Sequence, residues 1–217
     1  MPNPLYNHST MTENKNKSIM KHIPNALTVG RLVLTVILLG LIIYAPKTGQ
    51  AKPANLLLGV FILFVVTGLT DIVDGYLARK FEVTSKFGRT VDPLADKFLV
   101  CGAFFCFAWV DQPLLKCFEF SELTLNIIQW GTAIIIFARE IIVQTVRHIA
   151  ESRGVQFGAT WSGKLKMFLQ SFGIGTVIFG WAFVQRPWGD WFTLITYALM
   201  VAATILSGIQ SLTRRIK

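Results

Sequence analysis

Six apolar stretches, at about 27–45, 54–78, 89–110, 124–149, 161–185 and 189–213, take up most of this 217-residue chain. Each is long enough to cross the ~30 Å hydrocarbon core of a bilayer as a helix of about 20 residues. In that solvent every backbone polar group must be satisfied within its own segment. The pattern therefore predicts an all-α integral membrane fold with six transmembrane helices. Composition agrees: 53% of residues are hydrophobic, mean hydropathy is +0.52, and only 15% are charged, against about a quarter in a soluble domain. Residues 1–20 are polar and predicted to form a cytoplasmic tail, which leaves 21–217 as a six-helix membrane domain. Lys15, Lys17 and Lys21 precede the first stretch as in a secretory leader. Arg31 interrupts its start, however, and no small-residue cleavage site follows, so this helix is expected to stay uncleaved.

The formal net charge is +9. In a soluble protein that would suggest nucleic acid. Here the cations lie between apolar runs, so membrane lipids are the expected partner and nucleic acid is not. The tail, the second–third and fourth–fifth connections and the C-terminus hold fourteen Lys and Arg residues. The other side holds only Lys47, Lys52, Lys116 and Arg186. The bias predicts a multi-pass protein with both termini cytoplasmic. Trp109, Trp130, Trp181, Trp188 and Trp191 fall near the outer ends, where an aromatic belt is expected. Cys101, Cys106 and Cys117 form no CxxC pair and imply no disulfide framework, and the three histidines are too scattered for a zinc site.

Residues 67–97 read TGLTDIVDGYLARKFEVTSKFGRTVDPLADK. A carboxylate inside a membrane helix is unfavourable and marks function by default, and this segment has four. Asp71 and Asp74 are three apart and share one helix face; Asp92 and Asp96 are four apart and share another. A turn between the two helices would bring the pairs face to face. Singly, each aspartate could cap a helix or pair with Lys97 or Arg79. Together they repel unless cations lie between them, and hard oxygen donors suit magnesium, manganese or calcium. Four carboxylates can bridge two such ions, the arrangement that clamps attacking and leaving oxygens in displacement at phosphorus. Gly75 leaves room for a ligand, Ala78 is small, and Arg79 offers a planar fork suited to a diphosphate. A cation channel or transporter lined by the same carboxylates is the alternative, but it gives Gly75, Arg79 and Gly88 no purpose.

The run Asp71-x2-Asp74-Gly75-x2-Ala78-Arg79-x8-Gly88-x3-Asp92-x3-Asp96 resembles the full signature of the CDP-alcohol phosphatidyltransferase family. The resemblance implies a six-helix membrane enzyme, usually a homodimer, that releases CMP from a CDP-lipid. It implies that Asp71, Asp74 and Asp92 are ligands of two Mg2+ or Mn2+ ions. Asp96 would touch a metal and act as the base for the acceptor hydroxyl, and Gly75, Ala78, Arg79, Ser85 and Gly88 would lie at the CDP-lipid.

Other segments bear on the acceptor. The start of helix one, IPNALTVGR at 23–31, SKFG at 85–88, DPLADK at 92–97, Ala138-Arg139-Glu140 and TWSGKLKMFLQ at the start of helix five resemble the bacterial branch of that family that takes glycerol 3-phosphate. By that resemblance Asn25 and Thr28 line the nucleotide pocket, the lipid substrate is CDP-diacylglycerol, and the site is the bacterial cytoplasmic (inner) membrane. Arg139 lies near the middle of helix four, where a lone cation is unfavourable. With Lys164 and Lys166 it could bind the acceptor phosphate. Alternatively, Arg139 pairs with an aspartate or Glu140 and the lysines anchor helix five at headgroups. Inositol phosphate, serine or phosphatidylglycerol as acceptor would keep the same chemistry.

Overall fold

In the computed structural model, residues 26, 28–45, 54–80, 86–152, 161–184 and 186–213 are described; within helices, the side chains at 54, 71–80, 86–93, 151, 161, 162 and 164 are not. Among the described residues six α-helices follow one another: α1 Thr28–Tyr44, α2 Ala54–Lys80, α3 Lys86–Trp109, α4 Glu122–Ser152, α5 Trp161–Phe183 and α6 Pro187–Thr213. A short 3₁₀ turn, Lys116–Phe118, lies between α3 and α4. The described residues contain no strand. Each helix coincides with one apolar stretch of the sequence, as a chain without water around its backbone requires. Glu122–Ala150, Leu165–Phe183 and Pro187–Thr213 are long and apolar enough to cross a membrane; Thr28–Tyr44 and Asn55–Thr70 are shorter apolar helices.

α5 is central: it packs against α2, α3 and α6, while α4 lies against α3 and α6. The core runs through Leu38 and Ile42 of α1, Leu57 and Val60 of α2, Phe104 and Phe107 of α3, Ile136 of α4, Ile174 and Ile178 of α5 and Met200 of α6. Phe104 meets Tyr197 edge-on at 5.9 Å, tying α3 to α6. Small residues let the helices approach closely, as in membrane bundles generally. A Cβ at Gly102 of α3 would fall 2.5 Å from Leu39 Cδ1 of α1, and one at Gly173 of α5 would fall 3.0 Å from Met200 Sδ of α6.

Polarity is distributed inside out. Large apolar side chains such as Val33, Leu123, Phe168 and Leu206 are more than half exposed, while Thr35, Thr67, Gln170, Thr204 and Ser207 are buried. In water such an exterior would aggregate; against lipid it is the stable arrangement. Many hydroxyls are satisfied inside their own helix: Thr67, Thr176 and Thr196 donate to the carbonyls of Leu63, Phe172 and Phe192.

The α3–α4 connection closes the end of the bundle opposite Asp96. Gln129 Nε2 donates to the Pro113 carbonyl at 3.1 Å, and the Cys117 amide donates to Asp190 Oδ2 at 2.9 Å. Trp109, Trp188 and Trp191 are exposed and Trp130 partly so, consistent with an aromatic belt. Trp181 departs from that expectation and is only 4% exposed. It continues the inward stripe of Ile174, Val177 and Ile178, so helical periodicity turns the indole into the bundle.

Candidate active site

Asp71 and Asp74 lie in unbroken helix on α2, and Asp92 and Asp96 in unbroken helix on α3, so each pair keeps the one-face spacing read from the sequence. The side chains of Asp71, Asp74, Ala78, Arg79, Asp92 and Lys164 lie outside the described residues, as do Asn25 and Ser85 entirely; Gly75 and Gly88 are described only as helical backbone. The facing of the two aspartate pairs across a hairpin falls outside them too.

Asp96 is described in full. Arg31 of α1 donates from Nη1 to Asp96 Oδ1 at 2.8 Å. The Arg31 side chain is 3% exposed and that of Asp96 33%. The arginine that interrupts the first apolar stretch thus comes to a carboxylate 65 residues away. Sequence reasoning noted Arg31 but gave it no role; an intramembrane cation followed by an intramembrane anion on a neighbouring helix was the available signal. Thr28, one helical turn before Arg31, is buried on the same side of α1. Among the described residues no three His, Cys, Asp or Glu side chains converge. Asp96 nevertheless suits a hard cation: Arg31 takes one oxygen, and a third of the side chain remains accessible.

A second charged cluster lies on α4, α5 and α6. Consecutive helical residues diverge by about 100°, so Arg139 points to α6 while Glu140 points to α5. Arg139 Nη2 donates to Ser207 Oγ at 2.9 Å, and its Nη1 donates to Glu140 Oε1 at 3.3 Å. Lys166 Nζ donates to the same Glu140 oxygen. Glu140 is 7% exposed and Lys166 4%. A Cβ on Gly208 would come 3.3 Å from Arg139 Cγ, so the glycine lets the arginine lie flat on α6. One turn along α5, Gln170 Nε2 donates to Thr204 Oγ1 at 3.3 Å, a second polar link between α5 and α6. Arg139 and Lys166 are therefore brought together, and the residue that joins them is Glu140. The sequence offered Glu140 as a partner for Arg139; its bond to Lys166 is visible only once α4 and α5 are packed.

Glu140 also lines a cleft of about 550 Å³ between α3 and α4, with Lys97, Gln144 and Thr145 among otherwise largely apolar walls that include Phe98, Phe105 and Phe137.

Comparison with known proteins adds a separate line of support. A profile of the CDP-alcohol phosphatidyltransferase family matches residues 21–207. The CDP-diacylglycerol–glycerol-3-phosphate 3-phosphatidyltransferase of Rickettsia typhi is 33% identical over 74% of this chain and 78% of its own length. The protein of that name from Bacillus subtilis is 30% identical over 87% of this chain and 92% of its own. A probable phosphatidylglycerophosphate synthase of Mycobacterium tuberculosis is 28% identical over 90% and 82%.

Proposed function

Because the chain belongs to the CDP-alcohol phosphatidyltransferase family, we propose that it transfers the phosphatidyl group of CDP-diacylglycerol to glycerol 3-phosphate, giving phosphatidylglycerophosphate and CMP. The observation that carries this reading is the match over 74% and 87% of the chain to relatives named for that reaction. The complete aspartate signature between Asp71 and Asp96 supports the reaction class.

Asp71, Asp74, Asp92 and Asp96 are the residues that would hold two divalent ions, Mg2+ or Mn2+. When bound, such ions polarise phosphoryl oxygens and offset the charge of the departing nucleotide. Asp96 takes the proton of the acceptor's terminal hydroxyl, or polarises it, as that oxygen attacks the phosphorus nearest the diacylglycerol. Arg31, by holding one oxygen of Asp96, fixes the direction of the other. Arg79 meets the diphosphate through its planar fork. Asn25, Thr28, Gly75, Ala78, Ser85 and Gly88 line the place of the CDP head. Arg139, Lys164 and Lys166 bind the acceptor phosphate. The protein works as a homodimer in the bacterial cytoplasmic membrane, with both termini and the aspartates toward the cytoplasm, where glycerol 3-phosphate is available.

The test is CMP release by detergent-purified protein with CDP-diacylglycerol and magnesium, with and without glycerol 3-phosphate. Release that requires glycerol 3-phosphate and yields phosphatidylglycerophosphate is the expected result. Release only with inositol phosphate, serine or phosphatidylglycerol would replace the acceptor while keeping the site. No release with any of them from folded protein would overturn the reading. Chelation of divalent ions should stop release, and magnesium or manganese should restore it.

A further inference from the structure

Two cations from different helices, Lys166 buried and Arg139 partly buried, converge on a single oxygen atom. Arg139 Nη1 and Lys166 Nζ both donate to Glu140 Oε1. Like charges this close repel, and burial removes the water that would screen them. The carboxylate is what allows them to be neighbours. It compensates only one of the two, however. Lys97, on the wall of the same cleft as Glu140 and within electrostatic reach of both Glu140 and Arg139, adds a third positive charge. Among the described residues, three cations and one anion leave the cluster with a formal excess of two positive charges. Arg147, two turns along α4, is exposed and also within electrostatic reach of Lys97 and Arg139, so it adds to this excess rather than offsetting it. A phosphate monoester carries about −1.5 to −2 at neutral pH, so it balances this excess, whereas an uncharged alcohol leaves it standing.

Donor capacity is also left over. Of the five N–H groups of Arg139, one on Nη2 goes to Ser207 and one on Nη1 to Glu140, while the Nε group is buried with no hydrogen-bond partner among the described residues. A buried N–H without an acceptor is unfavourable, and a phosphate oxygen is an acceptor of the right charge.

We propose that Glu140 is a positioning residue of the acceptor site: it fixes Arg139 and Lys166 at one point and so turns two separate cations into a single phosphomonoester-binding unit. Glu140 does not touch the reacting atoms. The inference rests on the reading that Arg139 and Lys166 meet the acceptor phosphate, and it adds the residue that makes them act together. Ser207 and Gly208 of α6 complete the unit, one by bonding Arg139 and the other by leaving room for it.

The experiment measures KM for glycerol 3-phosphate, KM for CDP-diacylglycerol and kcat on purified wild-type, Glu140→Gln, Glu140→Asp, Ser207→Ala and Arg139→Gln proteins. In Glu140→Gln the KM for glycerol 3-phosphate should rise at least about tenfold, the order seen when a partner that orients a binding group is removed. The KM for CDP-diacylglycerol should stay within about twofold, the split that separates lost acceptor binding from a general defect. Glu140→Asp, which keeps the charge, should recover part of the loss. Ser207→Ala leaves the Glu140 pairings in place and so serves as the second variant should Glu140→Gln fail to fold; it should raise the same KM by about threefold. An unchanged or lowered KM for glycerol 3-phosphate in Glu140→Gln overturns the proposal, a lowered value meaning that the carboxylate competes with the phosphate. A parallel fall of all three parameters in both Glu140→Gln and Ser207→Ala also overturns it, because that reports stability alone. An unchanged KM in Arg139→Gln overturns the acceptor reading beneath it, and this inference with it.

Discussion

At Asp96 a carboxylate that is one-third exposed meets one arginine, from α1, and keeps an oxygen for other partners. At Glu140 a carboxylate that is 7% exposed receives two cations, one from its own helix and one from α5. The first arrangement is open: a single ion pair leaves an anion able to take a metal or a proton. The second is nearly closed on the anion, while Arg139 keeps its Nε–H without a partner among the described residues. Under the proposed function, one fold would use the same pairing, Arg or Lys with Asp or Glu, to present opposite charges to a ligand. Which partner is left incompletely engaged decides what each site can bind.

The comparison is broken most severely at the open carboxylate. Asp96→Asn keeps the shape but removes the proposed base, so transfer should fall by about a hundred- to ten-thousandfold, while binding of CDP-diacylglycerol, followed by equilibrium binding of radiolabelled lipid, persists. Near-normal turnover would show that Asp96 is not the base. The next effect is on stability. Arg31→Met leaves Asp96 without its partner and should cost about 2 kcal/mol, between the values for buried and exposed pairs. A lowered thermal midpoint in detergent reports it, and Arg31→Lys should recover part.

Smaller changes sharpen the contrast at the closed carboxylate. Gly208→Ala places a methyl group 3.3 Å from Arg139 Cγ, so the KM for glycerol 3-phosphate should rise about threefold, or under 1 kcal/mol. Gly131→Ala, on the same helix as Arg139 but with nothing within 4 Å of its new Cβ, should leave that KM unchanged. If the two variants behave alike, the seat of Arg139 on α6 has no bearing on acceptor binding. The least effect is expected far from both sites. Asp190→Asn weakens the bond from the Cys117 amide that ties the α3–α4 connection to α6; it should cost about 1 kcal/mol of stability and leave both KM values alone.

The helices were legible in the sequence because in a membrane the apolar run and the helix are one object. Their ends were less so. The fourth stretch was read as about 124–149, yet α4 runs from Glu122 to Ser152. Ser121 accepts a bond from the Thr124 amide at 3.2 Å and starts the helix on polar residues that hydropathy passes over. The aspartate segment was legible because its four carboxylates lie within 26 consecutive positions at helical spacing. The Glu140 cluster was only half legible. Arg139 and Glu140 are adjacent, but Lys166 is 26 residues from Glu140 and Ser207 is 68 from Arg139. Such contacts depend on which helices pack together, and a periodic pattern does not encode that. Arg31 with Asp96 belongs to the same class, as does the inward turn of Trp181, whose indole chemistry suggested the membrane surface while its phase on α5 put it in the core.

α4 has 31 residues and is about 46 Å long, while the hydrocarbon it crosses is ~30 Å thick. A helix longer than its membrane tilts or stands proud of it. Counted from Glu122, Glu140 lies about 27 Å along the axis, close to where hydrocarbon gives way to headgroups on the far side. With the outer hydrocarbon edge taken at Glu122, the charged cluster falls at a boundary that moves with bilayer thickness. Thin bilayers would lift it toward water and thick ones would draw it into the acyl chains, so under the proposed acceptor role the acyl length of the host membrane would set how readily a water-soluble phosphate reaches Arg139 and Lys166.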